Sequence, residues 1–250
     1  MNKINLTILK NLLLPIVPSS MELRLRFLYA RLTGTLDREM HLPEYIPVRR
    51  HRFIDIGANY GLWTFYMSKI FSYVEAFEPQ SECAQVLRSA CLRNVKVHEI
   101  AVSNSEGKSN LYIPEKDGIK QRGLATLENN HSNKSSMIVP LTTIDSFRFK
   151  NVDLIKIDVE GHEDAVIAGA LETIQRTKPV LVIEIEHRHR STDPSQLFKL
   201  LEKLGYESFF INHENTLMPT AQFNWLRDQN IESVTKKNYL CNFVFAPKEQ

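Results

Sequence analysis

From residue 52 onward the chain repeats one alternation: a short run of β-branched and aromatic residues, a turn, then a stretch with helical spacing. RFIDIG is followed by LWTFYMSKIF, SYVEAFEP by SECAQVLRSACLRN, VDLIKID by EDAVIAGALETIQRT, and PVLVIEIE by PSQLFKLLEKLG. In the middle of the series, VKVHEIAVSN leads into a polar stretch, 105–140, that reads as a hairpin. Strands that alternate with helices pair in parallel, and right-handed crossovers then place helices on both faces of one sheet. The expected fold is α/β with a mostly parallel sheet. The last two strand runs, YESFFIN and YLCNFVFAP, have no firm helical pattern between them and are expected to close the sheet as an antiparallel, hairpin-like edge.

At 250 residues and 43% hydrophobic, the chain is long enough for one sizeable core, and we expect one domain, 49–250, behind a helical extension, 1–48. In MELRLRFLYARLT, 21–33, Leu23, Phe27 and Ala30 share one stripe with Arg24 and Arg31 beside it, which predicts an amphipathic helix. Pro43, Pro47 and the run RRHR then predict a loop into the first core strand. The opening MNKINLTILKNLLLPIVPSS has an apolar run, 12–17, broken by Pro15 and too short to span a bilayer. It also lacks a clean small-residue cleavage site. We expect it to pack on the domain, with contact to a membrane surface as the alternative. A formal charge of +2 is too small for a polyanion binder, so nucleic acid is not an expected partner. Cys83, Cys91 and Cys241 have no metal-ligand spacing, and their odd number provides no disulfide framework. A reducing, cytoplasmic setting is expected.

In open sheets of this kind, ligands collect beyond the carboxyl ends of the strands. The unusual polar residues sit at those ends. FIDIGANYG places Asp55 inside a buried strand and Gly57, Asn59 and Gly61 in the turn after it. Glu78 ends the second strand 21 positions past Gly57, near the spacing at which an acid accepts hydrogen bonds from a ribose diol. DVEGHE, 158–163, follows the fourth strand and EIEHRHR ends the fifth. A nicotinamide or flavin site would carry G-x-G-x-x-G with amides aimed at a pyrophosphate, but here the middle glycine is Asn59 and an acid precedes the turn. A carboxylate there repels pyrophosphate and suits an ammonium. Adenosine at one end and an amino acid at the other describes S-adenosylmethionine.

FIDIGANYGLWT, VEAFEP, AVSN, VPLTTIDSF and above all VDLIKIDVEGHEDAVIAGA resemble the FkbM family of S-adenosylmethionine-dependent methyltransferases, over about residues 50–185. The resemblance implies a Rossmann-like class I fold, with a seven-stranded sheet whose last strand is antiparallel, and O-methylation of sugar hydroxyls on polyketides, glycans or glycolipids. It implies that Asp55, Gly57, Asn59, Gly61 and Glu78 bind the cofactor, Glu78 holding the ribose, and that Ala101, Val102 and Ser103 lie along the adenine. It also places Asp158, Glu160, Gly161 and Glu163 in the signature loop flanking methyl group and acceptor, with His162 in a variable slot of that loop.

A sugar hydroxyl does not ionise unaided at neutral pH, so methyl transfer to it needs a positioned base. Asp158, Glu160, His162, Glu163 and His187 are the candidates. Asp158 also lies where the cofactor's amino-acid end should sit. Glu160 and His187 lead, one from each neighbouring strand end. Glu163 could instead cap the following helix, and His187 could belong to a solvated loop. No close pair fixes a metal, and none is assigned. Lys156 lies within an apolar strand and must meet a carboxylate, for which Asp55 and Glu184 are the expected partners. Arg49, Arg50, Arg52, Arg188 and Arg190 read as solvated charge or, alternatively, as a phosphate site. The functional expectation is O-methylation of a sugar hydroxyl in a glycan, glycolipid or nucleotide sugar. Its rivals are another small-molecule hydroxyl as acceptor and a cofactor-binding module without turnover. A base-directed methyltransferase is disfavoured because DVEG stands where its Asp/Asn-Pro-Pro-aromatic loop would be.

Overall fold

The computed structural model describes residues 17–116, 118–129, 134–190, 192–230, 232 and 239–248. The apolar run at 12–17 thus lies, except for Val17, outside the described residues. Among those that are described, no helix is long and apolar enough to cross a membrane.

The strand runs become β1 (Arg52–Ile56), β2 (Tyr73–Phe77), β3 (Val95–His98), β4 (Ala101–Val102), β5 (Gly107–Lys116), β6 (Ile119–Lys120), β7 (Lys134–Thr142), β8 (Val152–Ile157), β9 (Val180–Glu184), β10 (Tyr206–Ile211), β11 (Leu217–Pro219) and β12 (Asn242–Pro247). The main sheet has the order β11-β10-β12-β9-β8-β1-β2-β3. Strands β9, β8, β1, β2 and β3 pair in parallel, as the alternation requires. The last strand, β12, is antiparallel to both β9 and β10. The two final runs therefore do not form a simple hairpin edge. The chain after β10 adds β11 as an eighth strand at the margin, then returns to insert β12 inside the sheet, where Phe243, Val244 and Phe245 are at most 1% exposed. A strand so apolar on both faces belongs in the sheet interior.

The run VKVHEIAVSN also divides. Its first half pairs with β2 as β3, while Ala101 and Val102 leave the main sheet to pair with β7 as β4. Strands β5 and β7 pair antiparallel from Gly107↔Leu141 to Pro114↔Lys134, which confirms the hairpin and makes it the body of a second sheet, β4-β7-β5-β6.

Helices cover both faces. On one side α1 (Ser19–Thr33), α2 (Leu62–Met67) and α3 (Ser81–Ser89) bury Leu23, Phe27, Trp63, Met67, Val86 and Leu87 against Phe53, Leu154 and Val182. On the other, α4 (Glu163–Ala168), α5 (Leu171–Thr177) and α6 (Pro194–Lys203) bury Val166, Ile167, Ile174, Leu197 and Leu201 against Ile54, Ile155 and Ile183. A short α7 (Trp225–Asp228) precedes β12. Local chemistry fixes the helix ends: Asp193 accepts from the Ser195 N–H with Pro194 at the first position of α6, and Gly34 closes α1 in the left-handed region at φ 66°.

Candidate active site

Gly57 ends β1 at φ +79°, and a Cβ there would lie 1.8 Å from the carbonyl oxygen of Asp158. Only glycine lets the loops after β1 and β8 approach this closely. The amides of Gly57 and Ala58 both donate to the Phe77 carbonyl at 3.0 Å, which draws the turn toward the end of β2. There the buried carboxylate of Glu78 accepts from the Asn59 N–H at 2.7 Å and from the Gln80 N–H at 2.8 Å. Burial pushes its pKa up to about 7, against those two hydrogen bonds.

These groups open on a cavity. Ile56, Phe77, Ile100, Val102, Leu111 and Leu127 give it apolar walls, and Gly57, Asn59, Glu78 and Asp158 supply its polar groups. Apolar walls beside a carboxylate suit a nucleoside, whose base is apolar on its faces and whose ribose hydroxyls can donate. The residues 118–129, carried on the second sheet, roof it: the Arg122 carbonyl accepts from Gln80 Nε2 at 3.0 Å, and Arg122 pairs with Glu82 at 2.9 Å. His162 adds a third tie. Its Nδ1 lies 2.7 Å from Glu128 Oε1 and its Nε2 lies 2.9 Å from Ser103 Oγ. Since the carboxylate can only accept, Nδ1 carries the proton, and in the neutral ring Nε2 accepts from the serine hydroxyl.

The expected cofactor residues thus divide. Gly57, Asn59, Glu78, Ala101, Val102 and Asp158 line the cavity. Asp55, Gly61 and Ser103 stand behind it. Asp55 is fully buried and accepts from Thr64 Oγ1 at 2.6 Å, and burial, ahead of all other influences, raises its pKa. It stands beside Lys156 in register, in the sheet floor and not on the cavity wall. Gly61 starts α2 where a side chain would strike Leu87, and Ser103 reaches the cavity only through His162.

Beyond β8 and β9 lies a cluster of acids. Lys156 pairs with Asp158 at 2.7 Å, not with the expected Asp55 or Glu184, because Asp158 follows two positions later on the same face. Burial, the largest single influence on Lys156, opposes its charge. The fields of Asp158, Asp55, Glu184 and Asp37 outweigh it and raise the pKa. Glu160, held at φ +52°, forms an ion pair with His189 Nδ1. Burial of the pair disfavours the imidazolium, but Glu160 and Glu186 face the ring and raise its pKa overall. Glu160, Glu186 and His189 each bring one ligand atom within 4.8 Å of the others, as do Asp158, Glu160 and Glu184. Such donors suit a divalent cation, but Arg188 and Tyr239 already donate to Glu186. Glu184 and Glu186 also line a second, wider cavity with Asp37, Glu39, Tyr239 and Cys241. The cluster therefore joins the two cavities.

Two expected catalysts are displaced. Glu163 is 1% exposed, accepts from the Gly161 N–H at 2.7 Å and from Arg190 at 2.5 Å, and so ties the loop after β8 to Arg190 from the first turn of α4. Burial pushes its pKa up to about 7. His187 is exposed and packs edge-on against Trp225, away from the acids. The inward histidine is His189, two residues on, because residues 187–189 form one 3-10 turn that reverses the side-chain direction. Gly161 permits this contact: a Cβ there would lie 2.4 Å from the His189 carbonyl. The phosphate site is also corrected. Arg188 and Arg190 are paired with Glu186, Glu163 and Asp164, and Arg49 and Arg52 lie at the amino ends of the strands. Asp37, Glu39, Glu186 and His189 escaped sequence reasoning. A signal existed for His189, in the same HRHR run, but none marked the 35–39 segment.

A parallel sheet with an inserted antiparallel last strand, and a cavity lined by Glu78 beyond its carboxyl ends, is the arrangement of a class I, Rossmann-like methyltransferase. A family model described as the methyltransferase FkbM domain matches residues 55–208. The chain belongs to this family, and its cofactor is S-adenosylmethionine. It is 26% identical to the methyltransferase sdnD of Sordaria araneosa, over 62% of this chain and 73% of that protein. The fold is shared with the methyltransferase FkbM of Methylobacillus flagellatus, at a TM-score of 0.51 and 17% identity, over 92% of this chain. This chain spans 55% of that one.

Proposed function

We propose that the protein transfers a methyl group from S-adenosylmethionine to a hydroxyl oxygen of a carbohydrate acceptor in a glycan or glycolipid. The observation that carries this reading is the Glu160–His189 pair, set between Asp158 on the wall of the cofactor cavity and Glu186 on the wall of the wider one. When bound, the cofactor supplies an electrophilic methyl group. The chain's part is to align the acceptor oxygen within about 3 to 3.5 Å of it and to take the hydroxyl proton. In the neutral ring His189 Nδ1–H is directed at Glu160, so the hydroxyl proton would be taken by Nε2, and the Glu160 carboxylate would balance the imidazolium that forms. The acids Asp37, Glu39, Glu184 and Glu186 outnumber the cavity's arginines, Arg38 and Arg188, the second of which is already paired with Glu186, so a polyol finds many acceptors there and a phosphate little positive charge. This favours a sugar over a nucleotide sugar as the direct partner.

Titration calorimetry with S-adenosylmethionine, followed by mass spectrometry of a sugar panel incubated with the cofactor, tests the proposal. One added methylene on a sugar hydroxyl supports it. Cofactor binding without methyl release to any sugar would favour the module reading, and methylation confined to non-sugar hydroxyls would move the acceptor to another class.

A further inference from the structure

Helix α1 is apolar on two opposite faces. Leu23, Phe27 and Ala30 are buried in the domain. At helical spacing of about 100° per residue, Met21, Leu25, Leu28 and Leu32 fall together on the opposite side. There Met21 is 54% exposed, Leu28 50% and Leu32 63%, with Leu25 half-buried beside them. A contiguous apolar stripe left exposed on a helix marks a contact surface.

The charge beside the stripe identifies the cover. Arg24 and Arg31 are exposed along one flank, and Lys69 of the α2 side projects over the Phe27 and Phe65 rings at 4.8 and 4.0 Å. Partial burial, then the fields of Arg31 and Arg24, lower the pKa of Lys69, so the three cations form one concentrated patch. The nearby acids are engaged, Glu22 with Arg26 at 2.6 Å and Glu44 with His41 at 3.1 Å. The chain leading into α1 continues the pattern: residues 1–21 include no Asp or Glu, carry Lys3 and Lys10, and are rich in Leu and Ile.

We propose that the outer face of α1, Met21, Leu25, Leu28 and Leu32 with Arg24, Arg31 and Lys69, docks on an anionic lipid surface. The leucines enter the interface while the cations meet headgroups. The helix ends at Gly34, and Gly34 to Glu39 form part of the wall of the wide acid-lined cavity. Docking therefore sets the mouth of that cavity near the headgroups, where the sugar of a glycolipid stands. This last consequence rests on the acceptor reading above, but lipid docking itself does not.

The test is co-sedimentation of the full chain with vesicles of phosphatidylcholine, alone or mixed with phosphatidylglycerol, so its outcome is independent of turnover. The expected result is binding to the mixed vesicles, weakened by salt and lost in Leu28→Asp/Leu32→Asp. Arg24→Glu/Arg31→Glu should reduce the partition about tenfold or more. Unchanged S-adenosylmethionine titration of each variant confirms that it is folded. A chain that stays in solution with both vesicles overturns the proposal. Equal binding of wild type and variants, or a dimer dissociated by the Leu28/Leu32 change without vesicle binding, does so too.

Discussion

Lys156 Nζ and Asp158 Oδ2 lie 2.7 Å apart, one side chain inside β8 and the other just beyond its end. The lysine is 3% exposed and the aspartate 26%, so the pair joins the buried floor of the sheet to the wall of the candidate cofactor cavity. Asp55, Glu184 and Asp37 also act on that single ammonium. Removing it leaves several buried carboxylates uncompensated, which is far costlier than losing a surface pair.

Lys156→Met should therefore destabilise the protein by about 3 to 5 kcal/mol and weaken cofactor binding through Asp158. Urea unfolding and calorimetry read both. A variant with unchanged midpoint and affinity would remove the structural role assigned to this cation.

The Glu160–His189 pair predicts a pH dependence. The proposed base is the unprotonated pair, and the carboxylates around His189 raise its pKa above the usual 6.5 against the opposing effect of burial. Activity should rise with pH through that raised value. Glu160→Gln removes one of those carboxylates, so the acid limb should move to lower pH while kcat falls. His189→Ala should lower kcat by about 10²-fold to 10⁴-fold with little change in cofactor affinity. The same shift has the opposite sign for stability: the folded state gains from the imidazolium below the unfolded pKa, and the gain is lost as pH climbs through the folded one. A flat acid limb in both enzymes would rule out His189 as the titrating group.

The hydrogen-bonded line from Glu128 through His162 to Ser103 connects the roof of the candidate cofactor cavity to the segment after β4. His162→Ala should raise KM for S-adenosylmethionine about tenfold while kcat at saturating cofactor stays close to wild type. Glu128→Gln, whose amide oxygen still accepts from Nδ1, should lose much less. If kcat falls and KM holds, His162 acts on the chemistry and not on the roof.

Much of this was legible because the parallel core is written in local pattern. Phe53, Ile54 and Ile56 around Asp55, and the glycines after them, announce a buried strand and a close turn whatever surrounds them. Glu78 followed from its distance in sequence to Gly57. The insertion of β12 between β9 and β10 was not legible, since strand order depends on a long return and not on local periodicity. Direction within short turns was hidden too. His187 and His189 are chemically alike in HRHR, and one 3-10 turn decides that the second faces Glu160 while the first meets Trp225. Asp37 and Glu39 reach the wide cavity through packing of the segment after α1, which leaves no mark in spacing.

Glu78, whose two oxygens are held by the Asn59 and Gln80 amides, lines the candidate cofactor cavity and is the residue expected to hold the ribose. Calorimetric titration of S-adenosylmethionine into wild type and Glu78→Ala, at pH values on either side of about 7, measures its part. The predicted result is an affinity about tenfold or more weaker in the variant, with wild-type affinity declining as pH falls through that value and the carboxylate takes up a proton. Equal affinity in both proteins, at every pH, would contradict the placement of the cofactor.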